Sequence, residues 1–309
     1  MGDRMAKLTD AQFELYLADA RRRLNDEMPL KNEKAINYGY QFVVQIAAAK
    51  STINIYNGKK GLNIVYSGDS ALAERAAAIL EGRKAQTSAP ATFVADGLWA
   101  GSDESGKGDF FGSLVVAACV VDNTTADKLR AAGVKDCKLL TDKKILELED
   151  IIKVTVVDYS VLELKPAVYN LRYEQVVAQG GKLNQLLGYG HVAALTKVLE
   201  RHEDCHSALI DQFTTSTVNI RALKQRFPEC NVRQQPKAES NLAVAAASVL
   251  ARAQFLHTMD VLAKQAGERE LPKGGGAQAT ACARELAKKY GKDALRNYVK
   301  LHFANYQRI

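Results

Sequence analysis

The sequence predicts an α/β protein: a mixed sheet flanked by helices, with a small α+β domain before it. Three observations predict this. After residue 98, short apolar runs alternate with stretches whose apolar residues recur at helical spacing, the pattern of a sheet carrying helices on its faces. The first two runs, 98–103 and Leu114–Val121 (LVVAACVV), are joined by a short glycine turn, which makes them an antiparallel hairpin and the sheet mixed. Before residue 84, two helix-spaced segments bracket alternating β-rich residues, enough for a compact module of about 85 residues.

In chain order, residues 8–26 place Phe13, Leu15, Leu17, Ala20 and Leu24 at helical positions, with Arg21-Arg22-Arg23 near the end and Pro29 closing the helix. The segments YQFVVQIA, STINIYN and LNIVYSG then alternate as strands do, and Asn57-Gly58 between the last two signals a hairpin. Residues 69–83 form an Ala-rich helix capped by Asp69 or Ser70. The small, polar, proline-containing stretch 84–92 (KAQTSAPAT) suits a linker. These readings place a first domain at 1–86, a linker at 87–92 and a second domain at 93–309.

In that second domain the predicted strands are 98–103, 114–121, 153–162 and 207–212. Helices are predicted at 142–152, 166–175, 184–202 and 217–227. A short segment at 231–235 precedes a long helix at 242–263, and a further helix begins near Ala277.

Bulk properties narrow the function classes. With 47% hydrophobic and 25% charged residues, the 309-residue chain has an ordinary globular composition. Its formal charge of +7 and pI near 9.0 favour a polyanionic partner. Five scattered cysteines, with no CxxC spacing, predict neither a disulfide frame nor a zinc site, and fit a reducing compartment. No signal-like apolar region opens the chain, and no run approaches the ~18 apolar residues of a membrane span. The expectation is a cytoplasmic protein with no membrane association and no obligate protein partner.

The chemistry concentrates in Asp103-Glu104-Ser105-Gly106-Lys107-Gly108-Asp109, at the end of the first buried strand. Neighbouring strand residues face opposite ways, so both acids reach one site only if the strand ends there and the chain turns. Alone, such a pair is equally a solvated turn. Asp211 ends ALIDQF, where an unpaired carboxylate is costly to bury; an arginine or a helix N-terminus is the structural alternative. Glu239, in PKAESN before the long helix, either joins the acids or caps that helix. If Asp103, Glu104, Asp211 and Glu239 converge, their repulsion calls for two divalent cations, the arrangement suited to in-line phosphoryl displacement.

Ser105-Gly106-Lys107-Gly108 lacks Walker spacing, which excludes a P-loop. Its glycines permit close backbone approach to a nucleotide, where N–H and C=O meet a ribose 2′-OH; an ordinary hairpin turn is the alternative. Lys273, in LPKGGG before a helix start, is a candidate phosphate ligand in what is otherwise a flexible connection. His302 is either a packed histidine or a substrate contact, and the other histidines show no metal spacing.

With these motifs in place, the chain resembles the type 2 and type 3 ribonucleases H, most closely the ribonuclease HIII branch. The Asp-Glu and Gly-basic-Gly motif, GVKDCK, ALIDQF, KAESNLAVAAASVLAR, LPKGGG and KLHFAN carry the resemblance over roughly 93–309. YGYQFVVQ and INIYNGKK resemble the N-terminal TATA-binding-protein-like domain of type 3 members. The resemblance implies a ribonuclease H-like fold and Mg²⁺- or Mn²⁺-dependent endonucleolytic cleavage of the RNA strand in RNA/DNA hybrids, leaving 3′-hydroxyl and 5′-phosphate ends. It implies Asp103, Glu104 and Asp211 as metal ligands and Glu239 as the fourth catalytic acid, where type 2 members usually have aspartate. Ser105, Gly106, Lys107, Gly108 and Lys273 are the implied substrate contacts, and the N-terminal sheet helps grip the hybrid.

Two departures refine this. Gly275 stands where type 2 members commonly place a tyrosine that senses RNA–DNA junctions, which favours longer RNA tracts over single ribonucleotides. Cys137 replaces a serine, so a hydroxyl contact to phosphate is not expected there. A noncatalytic basic nucleic-acid-binding protein is the competing reading, and the full acid set argues against it. A two-carboxylate glycosidase fits poorly with a basic chain and a Gly-Lys-Gly turn.

Overall fold

The computed structural model describes residues 7–46, 49–58, 61–81, 97–214, 216–236 and 238–309. The linker expected at 87–92 lies outside the described residues, as do Lys59 and Lys60 of the predicted hairpin and Lys237. The chain divides into two compact units, Met1–Thr92 and Phe93–Ile309.

The first unit runs α1 (Asp10–Glu27), β1 (Leu30–Ile36), β2 (Gly39–Ile46), β3 (Ala49–Gly58), β4 (Gly61–Gly68) and α2 (Ser70–Glu81), with the antiparallel sheet in sequential order. Thr9 opens α1 through a capping box with Gln12. Extended Met28 ends it, because the following Pro29 disfavours helical backbone. Asp69, through Oδ1, accepts the Leu72 N–H at 3.0 Å and so caps α2. Alternation puts Phe42, Val44, Ile53 and Ile55 on one face, buried against Leu17, Leu24, Ala76 and Leu80. The sequence reading missed β1. Its residues LKNEKAI are mostly exposed at a sheet edge, and a bulge between Leu30 and Asn32 breaks the period-two signal.

The second unit begins with β5 (Trp99–Ser105), β6 (Leu114–Val121), α3 (Asn123–Ala131), α4 (Asp142–Thr155) and β7 (Asp158–Leu164). It continues through α5 (Pro166–Ala178), α6 (Leu183–Leu199), β8 (Ser207–Asp211), α7 (Val218–Arg226) and β9 (Asn231–Gln235). α8 (Leu242–Ala266), α9 (Ala277–Tyr290) and α10 (Ala304–Gln307) complete it. The sheet order is β7-β6-β5-β8-β9; β7, β6 and β5 pair antiparallel, and β5, β8 and β9 pair parallel. This is the predicted mixed sheet with helices on both faces.

On one face Ala100, Val116, Ala118 and Ile210 pack with Ala194, Leu195 and Val198 of α6. On the other, Trp99, Val115, Ala117 and Cys119 pack with α4 and α8. β6 is therefore buried at every position, and its unbroken apolar run follows from having helices on both sides. At Gly101 a Cβ would lie 2.3 Å from the Val244 backbone nitrogen, so only glycine lets the start of α8 press against β5. α8 is long and apolar enough to cross a bilayer by length and composition, contrary to the expectation from sequence, but 78% of its apolar window is buried inside this unit.

Two boundaries and one further helix depart most from the predicted elements. β7 starts at Asp158, because Ile145, Leu148 and Ile152 continue a helical stripe that carries α4 through Thr155. α3 was not predicted: only Ala126 and Leu129 of its nine residues are buried, although the Asp122–Thr125 capping box marks its start. β5 runs on through Ser105 and does not stop at the acids, which changes how they reach their site.

Candidate active site

β5 pairs with β8 only from Trp99 to Ser102, whereas its pairing with β6 continues to Ser105. Past Ser102 the β8 side of β5 is open. Asp103 and Glu104 occupy that stretch and Asp211 ends the neighbouring parallel strand. A crevice beyond the carboxyl ends of parallel strands is where open α/β sheets bind ligands. The expected turn at the acids is thus replaced by a sheet that parts. Asp103 shares the α8-side parity of Trp99 and Gly101, Glu104 shares the α6-side parity of Ala100 and Ser102, and both still line one cavity of about 580 Å³.

Asp211, Ser105, Gly106, Lys107 and Gly108 line the same cavity. Asp103 is only 5% exposed, and its Oδ1 accepts the Glu104 N–H at 2.8 Å. Burial, then repulsion from Glu104 and Asp211, holds its carboxyl well above the usual range. Burial also raises Asp211, with Glu239 and Glu104 adding to the rise and the Ala238 N–H, donated to Oδ1 at 3.1 Å, opposing it. Glu104 goes the other way. Burial pushes it up, but the hydrogen bond and charge of His191 and the Lys107 ammonium outweigh that and keep it low.

Glu239 sits in the 3-10 turn Ala238–Ser240, near enough to raise Asp211 and Lys138, but it does not line the cavity. Nor does it cap α8: Asn241 Oδ1 accepts the Ala243 N–H at 3.0 Å.

A group of carboxylates that raise one another's pKa at an open, polar crevice is a hard-oxygen donor set, suited to Mg²⁺ or Mn²⁺ and not to a soft metal. Among the described residues no group of three or more acid, imidazole or thiolate side chains is placed to hold a metal ion by itself. The acids frame an open site, which leaves room for substrate oxygens to complete a coordination shell.

The glycine turn is braced from behind. Gly106 has φ +86°, and a Cβ there would lie 2.1 Å from the Ser113 carbonyl oxygen. Gly108 faces open space. Asp109 Oδ1 accepts the Gly274 N–H at 2.6 Å, and the Phe110 N–H donates to Gly274 O at 3.0 Å. LPKGGG is therefore tied to the turn and is not a free connection. The fully buried Lys300 ammonium donates to the carbonyls of Asp109 at 2.9 Å and Gly112 at 2.7 Å; burial lowers its pKa to about 7. Lys273 lies outside the cavity lining and pairs with Asp142, which also accepts from Arg252 at the cavity wall. Asn305 Nδ2 donates to Gly275 O at 3.0 Å, and His302 packs between Tyr173 and Phe303. Cys137 lines the cavity with its thiol pushed up to about 11 by burial and then by Asp103, so it is protonated at neutral pH.

The family model for Ribonuclease HII matches residues 100–306. This chain belongs to the ribonuclease HII family. Within it, the chain is 40% identical over 225 residues to Ribonuclease HIII of Bacillus subtilis, covering 71% of this chain and 70% of that protein. It is 38% identical over 203 residues to Ribonuclease HIII of Protochlamydia amoebophila, covering 66% and 65% respectively. The aligned part thus spans about two thirds of these relatives' own lengths. A solved structure, Bst-RNase HIII in complex with Mn²⁺, superposes with a TM-score of 0.64 at 30% identity over 98% of this chain and 96% of that one. The Aquifex aeolicus RNase H3 structure, at 23% identity and a TM-score of 0.53, shares the fold. These matches place the chain in the ribonuclease HIII branch.

The cavity and its surroundings also bring in residues to which the sequence motifs assign no role. Lys138 lines the cavity and its pKa is raised, despite burial, by Asp136, Asp103, Glu239 and Asp211. Asp142 and Arg252 line the wall. His191, fully buried on α6, reaches Glu104. No spacing rule connects residue 191 to residue 104. The available signal was a polar ring on a helix too apolar to need one.

Proposed function

We propose that the chain is an endoribonuclease that hydrolyses the RNA strand of RNA/DNA hybrids with Mg²⁺ or Mn²⁺, leaving 3′-hydroxyl and 5′-phosphate ends. The observation that carries this is one cavity lined by Asp103, Glu104, Asp211 and the Gly106-Lys107-Gly108 turn. The family of the chain and the Mn²⁺ complex of Bst-RNase HIII support it. Asp103, Glu104 and Asp211 would hold divalent metal, which supplies charge stabilisation for the attacked phosphate and a more acidic water. Glu239 would act from just outside, through its field on Asp211. Gly108, open to solvent, lets the backbone approach a ribose 2′-OH, and Lys107 and Lys138 attract the phosphates. Ser105 and Lys273 are assigned lesser roles, Ser105 in the cavity wall and Lys273 through Asp142. The five cysteines are free thiols, which supports a reducing, cytoplasmic location.

The direct test is incubation with an RNA/DNA hybrid, duplex DNA, duplex RNA and a duplex with one embedded ribonucleotide, each with and without Mg²⁺ or Mn²⁺. The expected result is metal-dependent cleavage of the hybrid's RNA strand, with the single-ribonucleotide duplex the poorer substrate. An intact hybrid under both metals, with binding retained, would move the assignment to a noncatalytic nucleic-acid-binding protein.

The N-terminal unit is proposed to grip the hybrid. The face of its sheet away from the helices is polar and amide-rich, with Gln41 Nε2 donating to Asn54 Oδ1 at 2.8 Å. Each unit has its own core, so removing residues 1–92 leaves the second intact. The truncated protein is expected to bind hybrid more weakly, with a salt slope shallower by roughly 0.7–0.9 for every phosphate that the N-terminal unit neutralises. Equal affinities and slopes, measured by salt titration, would remove the gripping role.

A further inference from the structure

Among Asp103, Glu104 and Asp211, Glu104 has a different protein side chain at each of its two oxygens. Oε1 faces the Lys107 ammonium at 3.6 Å, on a side chain that is 37% exposed. Oε2 lies 3.1 Å from Nε2 of His191, whose side chain is fully buried. The other ring nitrogen, Nδ1, lies 2.9 Å from the Ser102 hydroxyl, also fully buried. A carboxylate can only accept, so Nε2 carries the hydrogen; the Ser102 hydroxyl can donate to Nδ1 or accept from it, and every polar atom of the chain Ser102–His191–Glu104 is satisfied.

The ring is fixed on its flat side as well. It stacks on Phe213 with centroids 4.8 Å apart and planes 7° from parallel, two residues beyond Asp211. α6 comes close enough to deliver it because Gly190 sits where a Cβ would lie 2.7 Å from the Val116 side chain. Ser102, Glu104 and Phe213 flank the opening between β5 and β8, so one imidazole is tied to both strand ends that carry the acids.

We propose that His191 is a positioning residue that occupies Oε2 of Glu104 and reserves Oε1 for the divalent metal, making Glu104 a one-oxygen ligand. Lys107, on Oε1, is the cation that the metal replaces, and the more exposed of the two partners is the one that gives way. His191 touches neither substrate nor metal in this role. The inference rests on the assignment of Glu104 as a metal ligand.

The test is Mn²⁺ and Mg²⁺ binding to the full chain without substrate, by calorimetry and by Mn²⁺ paramagnetic resonance, alongside kcat and KM on a hybrid. His191→Phe keeps the ring and its stacking on Phe213 but loses both hydrogen bonds. It is expected to weaken metal binding by about 10- to 100-fold, the range seen when an outer-shell partner is lost. kcat at fixed metal should fall while KM for the hybrid stays within about twofold, because the phosphate contacts that dominate affinity are untouched. His191→Gln places an amide N–H near the former Nε2 and should recover most of the affinity. His191→Asn reaches only toward Ser102 and should not, so the two amides keep the comparison decisive if the Phe variant fails to fold. Unchanged metal affinity in His191→Phe or His191→Asn would overturn the proposal, as would equal losses in His191→Gln and His191→Asn. A parent protein that binds neither metal would instead overturn the metal-site assignment beneath it.

Discussion

Replacing Asp103 with asparagine is expected to lower kcat on an RNA/DNA hybrid by roughly 10²- to 10³-fold, the scale of losing one preorganised electrostatic element of a site. Hybrid binding should be kept or slightly tightened, because a negative charge facing a polyanion is removed. Asparagine Oδ1 can still accept the Glu104 N–H, so the strand end keeps its local geometry. The same variant should behave in the opposite sense in stability. Asp103 and Asp211 have raised pKa values in the folded chain, so between their unfolded and folded values the folded state holds protons that the unfolded state has released. Their stabilising contribution is complete below the unfolded value and is lost as pH rises through the folded one.

Metal-free Asp103→Asn is therefore expected to have a higher Tm than the parent at neutral pH, the difference closing as pH falls toward 4. Divalent metal should raise the parent's Tm and do little for the variant, since a ligand bound only by the folded state stabilises it by mass action. Thermal scans at several pH values, with and without Mg²⁺, check this. A variant that is both fully active and unchanged in Tm would remove Asp103 from the site.

Gly106→Ala is expected to destabilise the second unit by about 3 kcal/mol, combining a positive-φ cost of about 1–2 kcal/mol with overpacking of about 1–3 kcal/mol. The physical cause is the Cβ position 2.1 Å from the Ser113 carbonyl oxygen and 2.9 Å from the Phe255 ring, with φ at +86°. Urea denaturation reads it as a lower midpoint at unchanged slope. Gly108→Ala is the control that separates folding from recognition. Nothing lies within 4 Å of its Cβ position, so its stability should change by less than about 0.5 kcal/mol. If the backbone at Gly108 approaches the hybrid closely, this variant loses substrate affinity and kcat while keeping its denaturation midpoint. Full activity in Gly108→Ala would remove the close backbone approach to substrate at Gly108.

The legibility of the sequence followed the strength of local signals. β6 was readable because both its faces are buried and its eight residues are all apolar. β1 was not, because an edge strand that exposes LKNEKAI carries no alternation. Asp103, Glu104 and Asp211 stood out because acids at the ends of apolar runs need a reason to be there. The glycine neighbours of Lys273 suggest a phosphate ligand, but its ammonium meets Asp142, a partner 131 residues away in sequence. His191 carries no local signal of its partner, because its contact is with a carboxylate on another element.

By itself the sequence determined which chemistry this chain carries: the acids, the basic glycine turn, the family and the order of most elements. Each of these is local, set by side-chain period, turn chemistry or a motif within a few residues. Only the tertiary structure decided how the acids share a site. β5 outruns its pairing with β8, so adjacent residues that face opposite sides of a strand border one crevice. It also decided which residues stand behind them, His191 at Glu104 and Lys300 behind the turn. Those partners are 87 and 191 residues away in sequence. Strand pairing and helix packing bring them together, and no local pattern in the chain encodes that distance.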